Sequence, residues 1–270
     1  MPDFLRSHRK GPLARLGYHL LDLVSYECAY LLGPARNELF FNSGYLPLAA
    51  DFAPPPGMEA EAHAAMMYHF VARTHPAEAG AAPMPRRILD VGCGPGGGLL
   101  YMQGLYPRAR LCGTERAAAA RRLARRSLPG ARILSPRAAL PGPFDLVTGV
   151  GTPTYIGLPS FLELFAPQLT PGGVISLSGG YRRGDHQRLR RQLEGAAGPA
   201  GLRLLSYRDI APATFAALQA DIPRREATLQ RLPRPLRTYA RRWADLPGTP
   251  EYEEYRQGLR CDFAAVLQKI

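Results

Sequence analysis

Two carboxylates and a run of glycines carry most of the chemistry legible in this sequence. Residues 88–102 are Ile-Leu-Asp-Val-Gly-Cys-Gly-Pro-Gly-Gly-Gly-Leu-Leu-Tyr-Met. Ile88, Leu89 and Val91 form a short apolar β run. Gly92, Gly94 and Gly97, with Cys93 between the first two, let the backbone turn tightly and approach a ligand, and Leu99, Leu100 and Met102 open an apolar helical face. A strand, a glycine loop and a helix start in this order suit a nucleotide-like group. The spacing satisfies G-x-G-x-x-G, a weak fingerprint by itself in a chain with 28 glycines. Asp90 redirects it. A dinucleotide fold normally has an apolar residue at that position, whereas a carboxylate at a strand end can hold an ammonium. Glu115 lies 23 positions beyond Gly92, close to the spacing at which one carboxylate accepts from both hydroxyls of a ribose. It could equally complement the dipole of a following helix.

S-adenosylmethionine offers an ammonium and a ribose and has no pyrophosphate, so it fits this set better than a dinucleotide does. The segment 88–97 resembles motif I of the class I S-adenosylmethionine-dependent methyltransferases. Further segments follow in that family's order: Phe144-Asp-Leu-Val-Thr-Gly-Val150 as strand four, and Leu169-Thr-Pro-Gly-Gly-Val-Ile-Ser-Leu177 as a helix end, a turn and strand five. The resemblance implies an α/β chain with a Rossmann-like, doubly wound sheet of seven strands. It adds an N-terminal helical lid and a helical insertion before the last strand. We expect a lid and substrate segment over 1–85 and a core over 86–270, with the insertion at about 210–260. The Asn-x-Gly-Tyr stretch at 42–45 and the tail from 248 are similar to small-molecule methyltransferases of the phthiotriolone and polyketide type. By that resemblance Asn42, Gly44 and Tyr45 belong to a lid over the cofactor, and Val150 borders it.

The nucleophile side departs from the family. A His often follows strand four there, whereas this chain has Val150-Gly-Thr-Pro-Thr-Tyr-Ile156. Tyr155 takes the catalytic candidacy at that place, although a phenol is a poor base near neutral pH. His186, behind Asp185 after strand five, is the second candidate; a helix cap followed by a surface His is the competing reading. The acid that would contact the adenine is missing from 135–141. An acceptor methylated at oxygen or carbon, of the secondary-metabolite, polyketide or lipid kind, ranks first. A noncatalytic partner or scaffold of a biosynthetic enzyme is the alternative, and Gly-Thr-Pro-Thr-Tyr does not match the amino-group nucleic-acid methylases.

The elements that must position these groups are legible in outline. With 270 residues, 46% hydrophobic and 21% charged, the chain can bury a full α/β core. Strands are expected at 87–92, 109–114, 131–135, 144–150 and 202–207, with strand five ending at 177 after the Pro-Gly-Gly turn and a seventh, antiparallel edge strand in the tail, and helices at 58–74, 96–105 and 117–126. An amphipathic helix over 13–32, behind a basic leader at 1–12, either packs on the core or lies on a membrane surface. Net charge is +12, from 34 basic residues of which only Lys10 and Lys269 are lysines. That excess reflects general Arg richness or attracts an anionic partner, such as a carrier protein docking on 224–242. The four cysteines lie far apart, without the spacing of a disulfide framework or zinc site, and no metal is expected. No apolar run of eighteen residues or secretory h-region is present, so a cytoplasmic protein, compatible with a homodimer, is the expectation.

Overall fold

Strand periodicity decides which face each apolar residue covers. Along β1 (Arg87–Val91), Ile88 packs into one apolar cluster and Leu89 and Val91 into another, because successive side chains leave opposite faces of a pleated strand. The computed structural model describes residues 27, 28, 30, 31, 38–81, 84–232 and 234–270. The leader and most of the helix expected at 13–32 therefore lie outside the described residues.

Seven strands form one sheet in the order β3-β2-β1-β4-β5-β7-β6. They are β1, β2 (Arg110–Thr114), β3 (Arg132–Leu134), β4 (Phe144–Val150), β5 (Leu169–Tyr181), β6 (Leu202–Asp209) and β7 (Cys261–Lys269). β1 pairs in parallel with both β2 and β4, so the winding reverses there and opens a crevice beyond the strands' C-terminal ends. β7 runs antiparallel as expected but lies between β5 and β6, so β6 and not β7 is the edge strand on that side. β5 reaches Tyr181, four residues past the expected end, because Cys261 and Asp262 of β7 pair with Tyr181 and Gly180. Its Pro-Gly-Gly segment is not a separate turn but an irregularity between Phe144 and Leu146 in the β4 register.

One sheet face is covered by α1 (Ala62–His69), which continues through a π turn (Phe70–Thr74) into α2 (His75–Glu78), and by α3 (Gly97–Leu105). Ala and Met, both good helix formers, dominate α1. Met66, Met67 and Phe70 meet Leu146, Val174 and Val266 there. The opposite face takes α6 (Leu158–Phe165) and α7 (His186–Ala197), through Phe161, Leu162 and Leu193. Two further helices, α4 (Ala118–Ser127) and the short α5 (Pro153–Ile156), follow β2 and β4. Phe70, Phe144, Phe161 and Phe263 are fully buried, worth about 1.5–3 kcal/mol each.

Between β6 and β7 stand α8 (Ala211–Gln230), α9 (Arg234–Trp243) and α10 (Pro250–Arg256). The arginines of this insertion are mostly neutralised within the chain. Arg224 pairs with Asp221 and Glu38, Arg225 with Asp221, Arg241 with Glu226 and Arg242 with Glu251. No described helix is long and apolar enough to cross a membrane.

Candidate functional site

The glycine loop folds back on the end of β2. The Gly92 and Cys93 N–H groups both donate to the Thr114 carbonyl, at 2.7 and 3.0 Å. Gly92, Gly94 and Gly96 have φ of 76°, 54° and 99°, the left-handed region that disfavours a Cβ. At Gly92 packing reinforces this, since a Cβ would stand 1.9 Å from Thr152 Oγ1. The loops after β1 and β4 thus touch at the winding reversal. Gly97 is as tightly held: its N–H donates to Leu39, whose carbonyl oxygen would lie 2.3 Å from a Cβ.

Glu115 joins this loop directly. Its carboxylate accepts from Gly94 N–H at 3.0 Å and Ala117 N–H at 2.6 Å. Burial pushes its pKa up, against those hydrogen bonds, which favour the ionised form. The contact with Ala117, just before α4, shows that it serves the helix entry as well as the loop. The orphan N–H groups of Ala118 and Ala119 are taken by the Glu27 carboxylate. Tyr30 is buried with Ala117 and Ala119, and its hydroxyl faces Gly94. Burial raises its pKa most, with smaller contributions from Glu115, Cys93 and Tyr155. Tyr155 is therefore near the loop, half-buried on α5, and Val150 ends β4 beside it.

Asp90 is fully buried and faces α1, so it does not project into the crevice as an open acid. It accepts from Thr148 Oγ1 at 2.9 Å and Tyr68 Oη at 3.2 Å. Burial raises its pKa to about 7, with Glu115 adding to the rise and only the two hydroxyls opposing it. Among the described residues no cation enters that balance. Two acids beside one glycine loop are a donor set that a positively charged ligand would complement. Thr148 was discoverable, being a polar residue in the apolar strand Phe-Asp-Leu-Val-Thr-Gly-Val and in register with Asp90. Nothing local announced Tyr68, 22 positions before it.

Three candidates are placed differently from their sequence reading. Tyr45 stacks on Phe70 at 4.1 Å, and its N–H donates to His63; its ring packs towards α1, not over the glycine loop. The loop is covered instead by Tyr30 and Leu39. The Cys93 thiol turns into the core, against the position a Gly113 Cβ would take, so this residue meets the site only through its backbone. His186 begins α7 behind the Asp185 cap, and bonds Tyr207 Oη at 2.8 Å. Its Nε2 is 3.2 Å from Asp209. Tyr207 and Asp209 are on β6, four strand spacings from β1, roughly 19 Å at ~4.8 Å each. His186 is thus a helix-end and sheet-edge residue remote from the loop.

Strand order, the crevice at β1 and β4, and the antiparallel β7 define the class I methyltransferase fold. No protein-family model matches the chain. It is similar to trans-aconitate 2-methyltransferase of Azoarcus sp. (strain BH72), 30% identical over 145 residues, covering 50% of this chain and 54% of that protein. The same enzyme of Rhodopseudomonas palustris (strain BisA53) is 30% identical over 102 residues, 34% and 38% of the two chains. The similarity thus spans about half the length of these curated relatives, or less. Among solved structures, a putative sarcosine dimethylglycine methyltransferase from Galdieria sulphuraria has a TM-score of 0.67 at 12% identity, covering 91% of this chain and 98% of its own. Geranyl diphosphate C-methyltransferase from Streptomyces coelicolor A3(2), in complex with Mg2+, geranyl diphosphate and S-adenosyl-L-homocysteine, has 0.62 at 16%, covering 92% and 97%. At such identities the likeness establishes the fold.

Proposed function

We propose that this protein binds S-adenosylmethionine and transfers its methyl group to an O or C centre of a small-molecule acceptor. The observation that carries this reading is the meeting of the glycine loop, Glu115 and the β4 loop at the winding reversal, with Asp90 buried beneath. The methyltransferase names of the curated relatives support it. Gly94 and Gly96 would bring backbone against the ligand, Glu115 would accept from ribose hydroxyls, and Asp90 would balance the ammonium side from below. The bound cofactor would supply an electrophilic methyl group. The chain's own part is to hold the acceptor in line and exclude water, which supplies much of the rate in such displacements. Tyr30 and Leu39 would form the cover over the loop.

A polyketide- or lipid-type acceptor is the finer form of this reading, resting on the tail from 248. A tethered acceptor gains little from Arg224 and Arg225, since their charges are spent on Asp221 and Glu38. Calorimetry with S-adenosylhomocysteine tests the proposal. Binding by the wild type, weakened in Glu115→Gln, is expected; no binding by the wild type overturns it.

A further inference from the structure

The sheet's C-terminal edge holds a second buried polar cluster, with no part in the glycine-loop site. Asp262, the second residue of β7, accepts from Thr214 Oγ1 and Tyr255 Oη, both at 2.7 Å and both on its Oδ2. Its Oδ1 is buried without a hydrogen-bond partner among the described residues. Arg260 is 6% exposed, its guanidinium 4.4 Å from the Tyr255 ring centroid. Its Nη2 donates to Tyr255 Oη at 3.3 Å and is 3.8 Å from Asp262 Oδ1, beyond hydrogen-bond length, while its Nε and Nη1 have no hydrogen-bond partner among the described residues. Orphaned buried groups of this kind are costly, and three in one place call for a ligand or water.

The cluster stands at the C-terminal end of β5. Gly180 of β5 pairs with Asp262, and a Cβ there would stand 2.1 Å from Oδ1, so only glycine leaves the carboxylate that place. The preceding Gly179 faces the other side of the strand, where a Cβ would stand 2.7 Å from Thr154, next to Tyr155, and 3.2 Å from Phe263. Thr154 and Asp262 thus pack on opposite faces of the same end of β5. Helix α10, which brings Tyr255, is bounded by Gly248 and Gly258. Both have left-handed φ and open space, so they can absorb the shift that admits an acceptor.

Two unpartnered N–H-bearing atoms beside one unpartnered carboxylate oxygen complement a carbonyl oxygen beside a hydroxyl. We propose that Asp262 is the general base for an acceptor hydroxyl, with Arg260 holding a neighbouring carbonyl oxygen. This inference rests on the methyl-transfer reading above and narrows it to O-methylation. The hydroxyl oxygen forms the new C–O bond, its proton passes to Asp262, and the methyl–sulfur bond breaks with its electron pair left on a neutral thioether. The missing His of the β4 loop is thereby replaced from β7. Burial holds the Asp262 carboxyl above the usual range. The groups facing it are Arg260, which favours the ionised form, Asp245, which opposes it, Tyr255, and the neighbouring Cys261 thiol. A base so placed loses activity as pH falls, on a limb above the ordinary carboxylate range.

The test compares the N-acetylcysteamine thioester of 3-hydroxybutanoate with that of butanoate, in the wild type, Asp262→Asn and Tyr255→Phe. S-adenosylhomocysteine binding is measured first, and failure by the wild type removes the methyl-transfer reading and this inference together. With that binding intact, the wild type should hold the hydroxylated probe at least about tenfold more tightly. Asp262→Asn should keep S-adenosylhomocysteine affinity, lose the preference and lose about 10²–10⁴-fold in kcat. Tyr255→Phe removes a donor to the carboxylate and should raise the acid limb by about one pH unit. Equal affinity for the two probes overturns the proposal and leaves water between Arg260 and Asp262. So does an unmethylated probe that binds with the preference, or an Asp262→Asn protein with unchanged rate and pH limb.

Discussion

The two halves of the sheet are built in different ways. At β1, β2 and β4, contiguous residues make the site, largely through backbone: a glycine loop whose N–H groups meet Thr114 and Glu115. At β5, β7 and β6 the site is a convergence of side chains. Thr214, Tyr255, Arg260 and Asp262 come from two insertion helices and a strand start, with 48 positions between Thr214 and Asp262. A backbone cradle that met only the proposed cofactor would tolerate different acceptors. A side-chain cluster can be rebuilt for each acceptor without disturbing that cradle.

Asp90 gives the largest test of that contrast. Burial raises its pKa from the ordinary 3.8 to about 7, so the folded state holds the proton more tightly. Its contribution is most favourable below pH 4 and declines as pH rises to about 7, by on the order of 4 kcal/mol. Urea midpoints at pH 4.5 and 7.5 should show this decline in the wild type and a flatter dependence in Asp90→Asn. A cationic ligand that reverses the shift should release a proton near neutral pH, read by calorimetry in buffers of different ionisation enthalpy. Equal pH dependence in the two proteins would sink this account of Asp90.

Gly92→Ala should cost about 2–4 kcal/mol, from a left-handed φ and the collision with Thr152. Gly151→Ala, at nearly the same φ but facing open space, should cost only about 1–2 kcal/mol. Thermal melts that rank the two equally would show that packing between the β1 and β4 loops is unimportant. Glu115→Gln should weaken S-adenosylhomocysteine binding about 10–100-fold, as for a hydrogen bond to a charged group. His186→Ala is the smallest: methyl transfer within about twofold of wild type, and under about 1 kcal/mol of stability for a half-exposed pair with Asp209. A large rate loss there would return His186 to the chemistry.

The backbone half was the legible half. Strand four was read to its exact limits, 144–150, and the others to within a few residues, because apolar alternation and glycine turns are short-range signals. β5 ran long because its last residues are held by a strand eighty positions away. Glu115 was visible from spacing alone, since the loop and β2 are consecutive elements. Tyr45 and His186 were misplaced for the same physical reason: which neighbour a side chain meets depends on strand order and helix packing. The local pattern sets only whether it lies on a helix or strand.

The amino-acid sequence by itself therefore determined the alternation of strands and helices, the glycine loop and the acid that meets it. Those features follow from local conformational preference and from burial at fixed periods. Only the tertiary structure decided that Asp90 lies beneath Tyr68 and Thr148, that Tyr30 and Leu39 cover the loop, and that Asp262 stands beside Arg260. Each of those contacts closes a long chain segment, and the closing is directed by packing across the whole sheet.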